Sequence, residues 1–157
     1  LTTRVRRLGA EDIPAALRLL REAGSTVAYV HDSGGAHGAL SGRTVWLTPS
    51  GRIWLLGWQW AIAREHVPAG LAPDPIVVPP APEWRPGRWE PTTASDQWQL
   101  GALAFLALTG ELPPPEDVPP VRLLRPDCPQ GAAEVVERAL RREPDRRYAS
   151  VTAMVRA

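Results

Sequence analysis

The chain has 157 residues, a formal net charge of +1 and 44% hydrophobic residues. That length suits one domain burying roughly 70% of its unfolded surface, and a charge so near zero offers no bulk field for nucleic acid or an anionic membrane. All 18 basic residues are arginine, which excludes a lysine from any phosphate-binding or Schiff-base role within these residues.

Residues 11–32 read as an amphipathic helix. Ile13, Leu17, Leu20, Ala23, Val27 and Val30 recur at three- and four-residue steps, and Pro14 fits only a first turn. Arg4, Arg6 and Arg7 precede it as a small solvated basic cluster. Gly34-Gly35 ends the helix and delivers a loop at His37. Val45–Leu47 and Ile53–Leu55 are short strand candidates, and Pro49 and Gly51 make the turn of a hairpin between them. Trp54, Trp58 and Trp60 alternate, as residues sharing one face of an extended strand would. Eight prolines fall between Pro68 and Pro91, which suits an extended loop and forbids a long helix or a central strand. Trp84 and Trp89 lie in that loop, either packing it onto the body or meeting a partner. Residues 94–109 are apolar on nearly all sides, so a helix here must be buried all round. A second Pro-rich connector, residues 113–129, leads to an amphipathic helix at 131–142, and Ser150 caps a last helix.

The single Cys128 cannot form an internal disulfide, which makes a reducing, cytoplasmic compartment the expectation. The longest apolar run, Leu100 to Leu108, is about half the length a bilayer span needs.

The loop His37-Gly38-Ala39-Leu40-Ser41-Gly42-Arg43-Thr44-Val45 resembles the catalytic loop of protein kinases, H-R-D-L-K-x-x-x-N, with its chemistry removed. Further landmarks of that family follow in order. Residues 51–61 are similar to the strand that runs into the D-F-G motif, with Gly57, Trp58 and Gln59 in its three places. Ala81-Pro82-Glu83 resembles A-P-E. Ser95-Asp96 with Trp98 and Leu100-Gly101 resembles the start of the central helix of the large lobe, and Thr109-Gly110-Glu111-Leu112-Pro113 the turn that closes it. Glu143-Pro144-Asp145-Arg146-Arg147 resembles the late D-P-x-x-R segment. The likeness spans roughly residues 11 to 157.

The resemblance implies a mainly α architecture over residues 1–157: the helical large lobe of a bacterial-type Ser/Thr kinase, with a short β-hairpin carrying the degenerate catalytic loop. The chain as read offers no segment for the small lobe. Ala39 stands at the position of the catalytic Asp, Ser41 at that of the Lys, Thr44 at that of the metal-binding Asn, and Gly57 at that of the metal-binding Asp. Phosphoryl transfer needs its charge neutralised by metal on carboxylate or amide oxygens, so the expectation is no catalytic residue, no metal and no cofactor. Residues 61–91 contain no Ser, Thr or Tyr, and Gly38 replaces the Arg that would read a phosphate there, so the usual switching by phosphorylation is also lost.

The remaining matched positions imply scaffold roles. His37 packs against Trp58, which keeps an aromatic ring at the Phe position. Glu83 forms a buried ion pair with Arg147, or with Arg146 if the register slips by one. Asp96 accepts hydrogen bonds from the backbone around Gly38. Trp46 falls at the floor of the adenine pocket, where it either fills nucleotide space or simply packs in the core. The function implied is that of a pseudokinase, a scaffold or allosteric partner in signalling. It would bind a protein partner or a second copy of itself, with no nucleic acid and no membrane insertion by this segment. Two alternatives stand beside it: the large lobe of a longer ATP-binding Ser/Thr kinase whose small lobe lies upstream, and a structural dimerisation module.

Overall fold

The computed structural model describes residues 12–47, 52–58, 80–84 and 91–157. Helix α1, Ile13–Asp32, starts where Asp12 Oδ1 accepts the Ala15 N–H at 3.2 Å, with Pro14 in its first turn. Its apolar stripe, from Ala16 and Leu20 through Ala23 to Val27, is buried. The chain then turns at Ser33 and Gly34 into the loop at His37.

Strands β1, Val45–Leu47, and β2, Ile53–Leu55, pair antiparallel with Val45 opposite Leu55 and Trp46 opposite Trp54. Directly opposed residues share a face and neighbours alternate. Val45 and Leu55 accordingly enter the core, while Trp46 and Trp54 stand outside, 48% and 59% exposed. The Ile53 N–H donates to Glu22 Oε2 at 3.1 Å, which fastens the hairpin to α1.

Helix α2, Thr93–Thr109, opens with a capping box: Ser95 N donates to Thr92 Oγ1 at 3.0 Å and Thr92 N to Ser95 Oγ at 2.9 Å. Every residue from Ser95 to Leu108 is buried, as a helix without a polar face requires. Around it lie α1, the short α3 (Val121–Leu124), α4 (Gln130–Ala139) and, after a 3-10 turn at Pro144–Arg146, α5 (Val151–Arg156) capped by Ser150. The architecture is mainly helical with one two-stranded sheet among the described residues.

The structure departs from the pattern reading in three places. The connector at 113–129 contains α3, whose first free N–H, that of Val121, is met by Glu137 Oε1 of α4 at 2.8 Å rather than by a local cap. The helix expected over 131–142 ends at Ala139: the Arg141 N–H bonds back to the Arg138 carbonyl at 3.2 Å in a tighter turn, and the Arg141 and Arg142 carbonyls meet the Arg147 guanidinium at 2.8 and 3.1 Å. Trp54 and Trp58 do not share a face: the backbone reverses at Gly57, and Trp58 turns inward onto the core while Trp54 stays in solvent. Several expectations lie outside the described residues, namely the turn at 48–51, the arginines at 4, 6 and 7, Trp60, Trp89 and most of the Pro-rich stretch at 62–91.

Helices α2 and α4 touch at Gly101, where a Cβ would lie 2.9 Å from Ala139 Cβ and 3.2 Å from Leu140 Cγ. Gly101→Val is expected to lower the free energy of unfolding in urea by about 2 kcal/mol through overpacking.

Candidate functional site

The loop between α1 and β1 is held from below by α2. Asp96, fully buried on the first turn of α2, accepts three N–H donors: His37 N to Oδ2 at 2.7 Å, Gly38 N to Oδ1 at 2.7 Å and His31 Nε2 to Oδ2 at 2.8 Å. A carboxylate removed from water needs this many partners to remain charged without large cost. One turn further along, on the same face of α2, Gln99 accepts Leu40 N at 3.0 Å and donates to Gly38 O at 3.4 Å. The loop backbone runs through a left-handed conformation at Gly38 (φ +72°), so the glycine there lets both neighbouring amides reach Asp96.

His37 is completely buried and edge-on to Trp58, with ring centroids 4.7 Å apart. Its Nδ1 accepts Ala39 N at 3.2 Å and its Nε2 faces Leu56 O at 3.0 Å. A carbonyl only accepts, so the proton sits on Nε2 and the neutral ring satisfies both contacts. Protonating Nδ1 would set it against the Ala39 N–H. Burial lowers the His37 pKa below its ordinary value, against the opposing pull of Asp96 and the Leu56 carbonyl. Neither nitrogen of this imidazole reaches solvent, and both are engaged within the fold.

The positions matched to reactive groups are filled by packing. Ala39 is buried with no donor atom beyond its backbone. Thr44 Oγ1 accepts Ser41 N at 2.8 Å and lies 2.9 Å from Ala39 O and 3.2 Å from Ser41 O, so its one proton is committed to the loop. Ser41 Oγ accepts Arg43 N at 3.2 Å. Gly57 has φ +89°, and a Cβ there would lie 2.8 Å from Thr44 Cγ2. The Thr44 methyl thus occupies the place where a side chain at 57 would begin. These residues do not fit a divalent cation: Ala39 and Gly57 lack side-chain oxygens, and the hydroxyls of Ser41 and Thr44 are engaged within the loop. Among the described residues no group of three or more His, Cys, Asp or Glu side chains could hold a metal. Trp46 is not core; its indole is half exposed on the outer face of the hairpin, opposite Trp54.

A second buried charge lies at the start of the same helix. The Arg147 side chain is fully enclosed and uses its whole guanidinium. Nη1 and Nη2 form a fork on Glu83 Oε1 and Oε2 at 2.8 and 2.7 Å, Nη1 also donates to Ala94 O at 2.7 Å, and Nε and Nη2 close on the Arg141 and Arg142 carbonyls. The Trp98 ring lies 5.4 Å from the guanidinium carbon. Arg146 is exposed and takes no part.

Sequence reasoning singled out Asp96, Glu83 and Arg147 but missed His31, Gln97 and Gln99. Gln97 pairs with the Tyr148 backbone through both amide atoms, at 3.0 Å each. Two glutamines flanking a tryptophan inside an otherwise apolar helix were a readable signal, since buried amides must find partners.

The chain superposes on the crystal structure of the kinase domain of PknI from Mycobacterium tuberculosis with a TM-score of 0.73 at 23% identity, covering 99% of this chain and 58% of that one. Two variant structures of the same domain give the same TM-score at 22% identity. No family profile and no curated protein matches the chain. The fold is protein kinase-like, and the chain spans little more than half the length of the kinase-domain chain it matches.

Arg147→Lys keeps the charge but supplies fewer, unforked donors. It is expected to cost about 3 kcal/mol of unfolding free energy, whereas Arg146→Lys should change it by less than about 0.5 kcal/mol; urea titration of both variants checks the register. For His37 the unfolded chain binds a proton below about pH 6.5 that the buried ring resists. Stability should therefore be full above that pH and fall as pH drops toward the lowered folded pKa. The measurement is urea stability against pH, and His37→Gln should remove close to one proton from the acid-side slope.

Proposed function

We propose that this chain is a non-catalytic, protein kinase-like domain that binds a protein partner, as a scaffold or allosteric element in signalling. The observation that carries the reading is the mutual packing of Thr44 and Gly57: the two positions matched to metal ligands fill each other's space and offer no free oxygen. Losing a single well-placed electrostatic group costs roughly 3–4 kcal/mol of barrier, and here the matched Asp, Lys, Asn and second Asp are all replaced. The loop is nevertheless pinned at its backbone by Asp96 and Gln99, so its shape is kept without its chemistry. Trp46, Trp54 and Leu56, between 42% and 59% exposed on the hairpin, supply the kind of apolar surface that partner proteins use. A cytoplasmic setting agrees with a lone, buried Cys128, and no described helix is long and apolar enough to cross a membrane.

A second reading is supported by the share of the matched kinase-domain chain covered, 58%: the chain would be the large lobe of a longer Ser/Thr kinase. The two readings separate on phosphotransfer by the longest natural form of the protein, which the first expects to be absent even with an upstream small lobe. A homodimer is the third outcome, read directly from mass in solution by light scattering.

The direct test is a thermal-shift titration with ATP, with and without magnesium. The expected result is no change in melting temperature under either condition, and a magnesium-dependent rise would overturn the reading. Gly57→Asp is expected to lose about 1–3 kcal/mol of stability, from a left-handed non-glycine residue and the collision with Thr44. It should gain no magnesium affinity by calorimetry.

A further inference from the structure

A cavity of about 430 Å³ opens between the connector ahead of α3 and the turn that follows α4. That size is within the range of small-molecule sites, roughly 300–1,000 Å³. The apolar part of its wall comes from Leu140, Val118 and Trp98, and its polar part from arginines. Five arginines fall between positions 138 and 147, and their neighbours divide them into two groups. The Arg138 and Arg147 side chains are bonded to protein groups, and Arg142 reaches the Pro115 carbonyl at 3.5 Å. The Arg141 and Arg146 guanidiniums, by contrast, have no hydrogen-bond or carboxylate partner among the described residues, and both line the cavity.

A second observation points the same way. The indole N–H of Trp98, a residue only 1% exposed, has no hydrogen-bond partner among the described residues. Buried donors are almost always paired, and this one belongs to a residue that lines the cavity. The Nε1 atom has under 1 Å² of surface. The carboxylates in the wall narrow the ligand's charge. Glu137 is engaged by the Val121 N–H, whereas Asp117 and Glu143 face any second negative charge brought in. A monoanion meets about half the repulsion from these carboxylates that a dianion does while still satisfying the free guanidiniums.

We propose that this cavity binds a carboxylate carried on a small apolar body, with Arg141 and Arg146 holding the carboxylate and Trp98, Val118 and Leu140 receiving the apolar part. The carboxylate belongs either to a free small molecule or to the C-terminus of a polypeptide ending in an apolar residue. The recognising chemistry is the same for both.

The experiment follows the indole N–H signals of the full chain by ¹H–¹⁵N correlation, with the Trp98 signal among the seven tryptophans assigned through the backbone. The probes are phenylacetate, acetyl-Gly-Ala-Phe with a free C-terminus, the same peptide as its amide, phenyl phosphate and phenethylamine, each titrated into the millimolar range. Phenylacetate or the free-acid peptide is expected to move the Trp98 signal saturably, and the tighter of the two identifies the source. The amide, the phosphate and the amine should leave it unmoved. The double variant R141A/R146A, altered only at exposed side chains, should keep the melting temperature and weaken carboxylate binding at least about tenfold, as the loss of charge-assisted hydrogen bonds implies. A Trp98 signal that no carboxylate moves, an equal response in the double variant, or a stronger response to phenethylamine would each overturn the proposal.

Discussion

The five-donor guanidinium of Arg147 is the constraint on which the C-terminal half of the structure depends. It joins the segment carrying Glu83, the start of α2 at Ala94 and the turn carrying Arg141 and Arg142. A fully enclosed cation is tolerable only if every N–H is met, and each of these donors has an acceptor between 2.7 and 3.1 Å away. The turn that follows α4 supplies two of those acceptors, since carbonyls at a helix end have no partner within the helix and those of Arg141 and Arg142 close on the guanidinium.

Asp96 performs the complementary task one turn into the same helix. It gathers His31 from the end of α1 and two amides of the loop onto one buried carboxylate. The result is a loop whose backbone is fixed from within α2, whatever side chains it displays outward. Geometry and reactivity are thereby separable. The backbone of the loop is set by Asp96, Gln99 and the Gly38 conformation, while Ala39, Ser41 and Thr44 stand where reactive groups are expected from the resemblance.

Much of this was legible from the residues. The apolar periodicity of α1, the all-round apolarity of α2 and the Ser150 cap follow from local rules that the structure obeys with shifts of a residue or two. What escaped was set by tertiary contacts. Helix α3 depends on Glu137 from another helix, which no local signal announces. The inward turn of Trp58 depends on the left-handed Gly57, which breaks the alternation begun at Trp54. His31 was read only as part of a helix, because its pairing with Asp96 crosses 65 positions of sequence. The half-exposed Trp46 was the least readable. Its strand register assigns it to the outer face, and a motif match gives a position without telling what covers it.

Thr44 and Gly57 carry this separation to its physical end. Here Thr44 turns its hydroxyl back onto the Ala39 and Ser41 carbonyls and sets its methyl against Gly57. The loop's polar groups are then answered from inside the loop, and the space a carboxylate at 57 would enter is already filled. A side chain at 57 would therefore meet the Thr44 methyl, 2.8 Å from its Cβ, before it offered any charge.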